Sequence, residues 1–489
     1  MTNPPAQREI FGQPRGLATL FLTEMWERFS YYGMRSVLIL YAVAAVGQGG
    51  LGLDDHVASS VYGLYIAATY VFALLGGWVA DRLLGAQRAV LAGAVLILIG
   101  NGLLVVGHVR VFFLGLAVVI LGVALLKPNI SVMVGELYPE GGARRDAGFS
   151  IFYVGISVGA LMGSLLVPVF AARFGWRYGF ALPVVGMLLG LTQFLFTRKW
   201  LGASGRHSAQ PGSWHSWLTV LVFVLAVVVV AMLALSGRVV IEAVSLAQGV
   251  TWVIALFAVG YFVYLVAFAG LQEAERRRVF VMAALFAAYA VFFAGFEQAG
   301  ASLNLFAERY TDRNLLGWNL PAGVLQGTTA LYTILFAPVA AALWLALGRR
   351  GRDPAPSVKF AIGLALLAAS YLLMYVAAGF VVAGQKVLPT WLLVSYFLQE
   401  CGDLCLSPVG LSSMTKLAPP RYAGQVMGLW FLALALGNNL AGQLSGEYDA
   451  GDLHSLPALF LKIAGYSVAA AVMMLLLTPA LRRLMGGVK

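Results

Sequence analysis

Fourteen runs of about 20 apolar residues divide this 489-residue chain, and no other feature limits its fold as tightly. They lie near 16–46, 57–80, 87–107, 111–137, 147–171, 179–197, 215–235, 250–270, 279–307, 321–347, 360–381, 390–415, 422–444 and 460–481. A backbone crossing hydrocarbon has to satisfy its own N–H and C=O groups, so runs of this length read as membrane-spanning helices. With 61% hydrophobic and only 11% charged residues, the chain is expected to be an all-α, multi-pass membrane protein.

The net charge of +11 does not point to nucleic acid, because the basic residues are scattered through short loops and form no continuous stripe. They read as topology signals. An even helix number puts both termini on one side, and that side holds about 21 of the 32 Lys and Arg, from Arg8, Arg15, Arg144 and Arg145 through Arg276, Arg277 and Arg278 to Arg482, Arg483 and Lys489. Positively charged loops stay in the cytoplasm, so both termini are placed there and the chain in the cell (inner) membrane. The apolar run after Arg15 continues past any cleavage site and carries charges, so the first helix is retained.

Loop lengths divide the chain into an N-terminal six-helix bundle (1–200), a linker with two inserted helices (201–275) and a C-terminal six-helix bundle (276–489). The inserted pair is Val-rich, nearly free of charge and without a polar face, as expected for helices facing lipid. Six-plus-six layouts place substrate sites where the halves meet, near the midplane.

The first helix breaks the apolar pattern. Glu24, Glu27, Arg28, Tyr31, Tyr32 and Arg35 recur at i, i+3, i+4, i+7, i+8 and i+11, which gathers them on one helical face. One charge at the bilayer centre costs roughly 2.5 to 3.5 kcal/mol or more, so this face has to meet partners or water. Polar residues recur at matching places in the other half: Glu297-Gln298 on its first helix, and Lys127-Pro128-Asn129 on helix four against Asp403 with Ser407-Pro408. A Pro within a helix removes one backbone hydrogen bond and kinks it, which suits a bending element. The bland alternative for Lys127 with Asp403 is a static buried ion pair that sets packing, but two such pairs plus a carboxylate-rich first helix exceed what packing needs.

Enzyme chemistry is not expected. No HExxH or GxSxG motif occurs, and the five His lie in loops or near helix ends. Cys401 and Cys405, one helical turn apart, suit neither a disulfide nor a zinc site. Gly47-Gln48-Gly49-Gly50-Leu51-Gly52 matches a dinucleotide fingerprint only as text, since a membrane helix and no strand precedes it. No metal and no cofactor beyond the proton are called for. Gly77 to Arg88, after helix two, resembles the loop signature of the major facilitator superfamily.

The segment from Glu24 to Arg35 resembles the hallmark of the proton-dependent oligopeptide transporter family, in its bacterial fourteen-helix form. Gly148 to Tyr153, Phe296-Glu297-Gln298 and Leu406 to Leu411 match further family blocks in order. The resemblance implies the major facilitator fold and proton-driven import of di- and tripeptides by alternating access. Membrane lipid is the expected surrounding and a monomer the working assumption, the sequence itself setting no oligomeric state. Carried onto this chain, it makes Glu24 and Glu27 the protonation elements, linked to Arg28, while Arg28 and Lys127 attract the peptide carboxylate. Tyr31, Tyr32, Tyr70, Phe293 and Trp430 would line the peptide pocket, Arg35 with Glu297 would gate one side, and Lys127 with Asp403 would link the halves. Glu297 and Asp403 would also meet the peptide. Asp403 stands where the family usually has Glu, and Ser157 and Thr329 stand where it often has Asn at the amino-terminal contacts.

A mechanism follows from that assignment. Ionised carboxylates pair with Arg28 and Lys127; protonating one frees a cation for the peptide, so proton and peptide favour the same state. One charge gains about 2.3 kcal/mol per 100 mV, so one proton can drive roughly fiftyfold accumulation of a neutral solute. A drug exporter of the same superfamily and a non-transporting receptor are the rivals. The intact Glu24 to Arg35 segment argues against the first and the matched intramembrane charges against the second.

Overall fold

The computed structural model describes every residue except 1–8, 11, 140–141, 207–213, 237–241, 316, 449–451 and 487–489. Arg8, Lys489 and residues 207–213 of the long basic connection, all used in reading the topology, lie outside the described residues. The helices are α1 (Arg15–Val43), α2 (Asp55–Val79), α3 (Ala86–Val105), α4 (Val109–Glu136), α5 (Gly142–Phe174), α6 (Trp176–Thr197), α7 (Trp214–Leu235), α8 (Ala243–Ala267), α9 (Glu273–Phe296), α10 (Ser302–Tyr310), α11 (Ala322–Arg349), α12 (Pro356–Val382), α13 (Thr390–Leu417), α14 (Ala423–Gly446) and α15 (Ser455–Met485). All but the 9-residue α10 have 20 residues or more. Ten described segments are long and apolar enough to cross a membrane by length and composition. α1 is not among them because its charged face breaks every apolar window.

Several boundaries move from the expected ones for physical reasons. The ninth apolar run is not one helix: α9 ends at Phe296, a 3-10 turn covers Glu297–Gly300, and α10 follows. Tyr62 of α2 lies against this turn, where a side-chain carbon at Gly300 would be 1.7 Å from its hydroxyl. α9 also begins earlier, because Gln272 and Glu275 form a capping box that satisfies the first amides ahead of the apolar stretch. Gly77–Val79 belong to α2, and Ala80–Leu84 continue it as one π-helical turn through the charged pair Asp81 and Arg82, until Gly85, at φ 76°, stops it.

The chain forms two compact units. One comprises residues 1–41, 45–51 and 71–241; the other comprises 42–44, 52–70 and 242–489. α7 therefore goes with the first and α8 with the second, and α2 is divided at Tyr70.

In the first unit α5 lies directly on α1. Side-chain carbons added at Gly159 and Gly163 would lie 2.1 Å from the Met25 carbonyl and 2.3 Å from the Phe29 carbonyl, so only bare glycine lets the backbones approach this closely. This contact fixes the rotation of α1 and hence the direction of its charged face. Gly159→Ala is expected to lower the unfolding temperature of the purified protein, overpacking of this kind costing about 1–3 kcal/mol. Gly102→Ala in α3 is the control, because nothing lies within 4 Å of its added carbon and the better helix propensity should leave it at least as stable. Equal melting of the two variants would show that α1 and α5 do not need this approach.

In the second unit the N-terminal half of α2, up to Tyr70, packs on α14 in the same way, with Gly63 and Gly442 backbone to backbone. Arg309 grips Asp55 through two parallel bonds of 2.6 and 2.7 Å. α8 is not featureless. Asn439 and Gln443 of α14 donate to the Ala247 carbonyl and to the Thr251 hydroxyl, so Thr251 supplies the polar seam that composition hid. Its other face is apolar and open, with Trp252, Val253 and Leu256 among its exposed residues.

Candidate functional site

The face of α1 predicted to be polar is buried. Glu27 is fully enclosed, and Glu24 and Arg28 are each 3% exposed. The Arg28 Nε donates to Glu27 and lies 3.2 Å from Glu24 Oε1, so one guanidinium nitrogen holds both carboxylates. The Arg28 guanidinium covers the Tyr31 ring at 5.0 Å, Tyr31 meets Tyr32 edge to face, and Arg35 covers Tyr32 at 5.8 Å. Glu24 Oε2, Glu27 Oε1 and Arg28 Nη2 have no hydrogen-bond partner among the described residues. Buried polar atoms are almost always paired, so three orphans in one cluster mark a place for an exchangeable partner.

α4 and α5 complete this side. Lys127 is close enough to Glu24 to act on it electrostatically. Pro128 follows inside the helix, and the Asn129 side-chain amide donates to the carbonyls of Leu125, at 2.7 Å, and Gly76. Ser157 of α5 is buried, and its hydroxyl donates to Tyr153 of its own helix at 3.3 Å. Ser30 is held by Asn101 of α3 at 2.7 Å.

A second cluster lies within the other unit. Glu297 is buried in the 3-10 turn after α9, and the neighbouring Gln298 donates to Ala294 and Ala441 and accepts from Ser302. On α13 the Ser407 hydroxyl donates to Asp403 and is 3.0 Å from the Tyr289 hydroxyl, giving a chain from Tyr289 through Ser407 to the carboxylate. Trp430 of α14 stacks on Tyr289 at 3.8 Å and 19°, and Tyr289 also meets Phe293 at 4.7 Å. Trp430 reaches this position because Gly410 has no side chain; a carbon there would be 2.2 Å from the indole. Thr329 of α11 donates to Gln326 at 2.9 Å, so its hydroxyl, like that of Ser157, is engaged by its own backbone. Tyr70 is half-buried on α2. Arg35 and Lys127 belong to the first unit, Glu297 and Asp403 to the second.

Two acidic-cluster neighbours, Tyr289 and Glu400, were not anticipated. Tyr289 sits eight residues before Glu297 on the face that also carries Phe293, a helical spacing that could have revealed it. Glu400 lies one turn before Asp403, is 4% exposed and bonds Thr333 at 2.5 Å. Its signal was a second acid in a membrane helix.

Comparison with known proteins decides the family. A profile described as the POT family matches residues 41–458 of this chain. The chain belongs to the POT family. It is 42% identical to the peptide transporter YePEPT of Yersinia enterocolitica over 99% of this chain and 98% of that one. With the di-/tripeptide transporter of Lactococcus lactis subsp. cremoris it shares 34% identity over 99% of each chain. Among solved structures, a mutant peptide transporter POT in complex with alafosfalin superposes with a TM-score of 0.91, at 39% identity and 98% coverage of both chains. The profile begins at Tyr41, so the charged segment of α1 is independent support for this POT membership.

Proposed function

We propose that this POT protein is a proton-coupled symporter that imports di- and tripeptides by alternating access. Relatives named peptide transporter and di-/tripeptide transporter cover it from end to end, and the structure it superposes on holds alafosfalin. The observation that carries the coupling is the single Arg28 nitrogen shared by two buried carboxylates, with polar atoms of all three residues left without partners. Ionised, the two acids outnumber the cation that holds them; protonating one loosens Arg28 and frees its planar fork for a peptide carboxylate. Lys127 adds a second positive charge on the same side. The acidic group of the second unit, Glu297 and Asp403, suits the peptide ammonium. Binding, and not bond chemistry, is what these residues supply. The protein would lie in the cell membrane with both termini cytoplasmic and work as a monomer surrounded by lipid.

Counterflow of labelled dialanine in proteoliposomes, repeated across a pH series, tests this reading. Peptide exchange at every pH, with net accumulation only when a proton gradient is imposed, is the expected result. Exchange of drugs without exchange of dialanine would instead favour an exporter.

The engaged hydroxyls of Ser157 and Thr329 give a second test. Asn carries its carbonyl oxygen further from the backbone, and a direct bond to a charged group contributes about 1.5 to 3 kcal/mol. Ser157→Asn with Thr329→Asn should therefore tighten dipeptide binding roughly tenfold, equivalent to about 1.4 kcal/mol. A competition assay at fixed pH reads the gain. It should vanish for an N-acetylated peptide, and an equal gain there would mean that these positions do not serve the amino terminus.

A further inference from the structure

One buried acid has no place in the mechanism above. Glu400 Oε1 is 2.5 Å from the Thr333 hydroxyl oxygen, and that same oxygen is 3.0 Å from the Thr329 carbonyl, one turn back on α11. A threonine hydroxyl has one hydrogen. A carbonyl can only accept, so when Thr333 donates to Thr329 its short contact with Glu400 needs a second hydrogen, and the carboxyl is the group able to bring it. Thr333 thus faces two acceptors with one hydrogen: it donates to an ionised Glu400, or, when Glu400 carries a proton, accepts from the carboxyl and donates to the Thr329 carbonyl. Asp403, one turn along α13, also faces a hydroxyl, but Ser407 donates to it with Tyr289 behind as a group able to donate in turn. Two carboxyls on one helix thus have unlike settings: the hydroxyl beside Asp403 has a possible donor behind it, whereas the hydroxyl beside Glu400 has a carbonyl, which can only accept.

We propose that Glu400 is a proton-binding residue of the second unit, held as the carboxylic acid while Thr333 is bonded to the Thr329 carbonyl, and releasing its proton to water when that bond is given up. On release the carboxylate becomes an acceptor, and Thr333 turns its single hydrogen from Thr329 to Glu400. The charge of this acidic group and the bonding of the α11 turn at Thr329 then change together. On α13 the titratable neighbours of Glu400 are Asp403 and Cys401; α9 and its 3-10 turn bring Tyr289 and Glu297 to Asp403; on α12, Lys359 is taken by Asp353 at 2.7 Å. The functional meaning of this site rests on the transporter reading, but the site itself does not.

Infrared difference spectroscopy on the purified full-length protein without peptide tests it directly, because a protonated carboxyl absorbs apart from a carboxylate. Glu400→Gln keeps a side-chain donor toward Thr333 and should fold. At neutral pH the variant should lose a protonated-carboxyl band, and raising the pH of the wild type should remove the same band while carboxylate absorption grows. Thr333→Val should shift that band, since the carboxyl loses its acceptor. A spectrum in which Glu400→Gln removes only carboxylate absorption at neutral pH would overturn the proposal, as would a band that Thr333→Val leaves in place. Failure of dialanine counterflow would count against the transport reading and leave these spectra unaffected.

Discussion

Glu27→Gln is expected to abolish proton-driven accumulation of dipeptide while leaving counterflow near the wild-type rate. The amide has nearly the shape of the acid and can still meet Arg28, but it cannot bind and release a proton. Only a group that changes charge can tie peptide binding to the gradient, because a ligand that binds both states equally shifts nothing. Without coupling, about 2.3 kcal/mol per 100 mV is no longer available, and internal peptide should only equal external peptide. Glu24→Gln should act in the same direction but less severely, since Glu24 sits 3.2 Å from the shared nitrogen and Glu27 is held more closely. Accumulation with normal pH dependence in the Glu27 variant would remove that residue from the coupling step.

The α1 cluster was legible because it depends on local order alone. Helical spacing puts Glu24, Glu27, Arg28 and Tyr31 on one face, and the cost of charge in lipid says that this face cannot be idle. The placement of α1 by bare backbone at Gly159 and Gly163 was not visible, because a glycine in a membrane helix reads the same whether or not another helix leans on it. The close approach of Tyr62 to Gly300 joins residues more than 200 apart in sequence, so no local pattern announces it. Ser157 and Thr329 stand at positions where the resemblance implies amino-terminal contacts, and only coordinates show each hydroxyl spent on its own helix carbonyl. For Glu400, sequence supplies the acid and the helical turn, but the two contacts of Thr333 that count its protons exist only in three dimensions.

Removing the cation should have the largest effect on folding. Arg28→Met leaves Glu24 and Glu27 facing each other in a fully buried site, and breaking a buried ion group by deleting one partner costs about 3 to 5 kcal/mol. Little folded protein should then be recovered from the membrane, which alone would not tell a transport residue from a packing residue. The triple change, Arg28→Met with Glu24→Gln and Glu27→Gln, separates the two. Replacing a whole buried charge group by uncharged side chains of similar volume is often neutral or stabilising, so folding, read by thermal unfolding, should return. Dipeptide affinity and accumulation should not, because the planar cation that takes the peptide carboxylate and the acids that bind the proton are gone together. A folded triple variant that binds dialanine as tightly as the wild type would reduce the cluster to packing, and a single Arg28 variant as stable as the wild type would show that the two acids never depended on the cation.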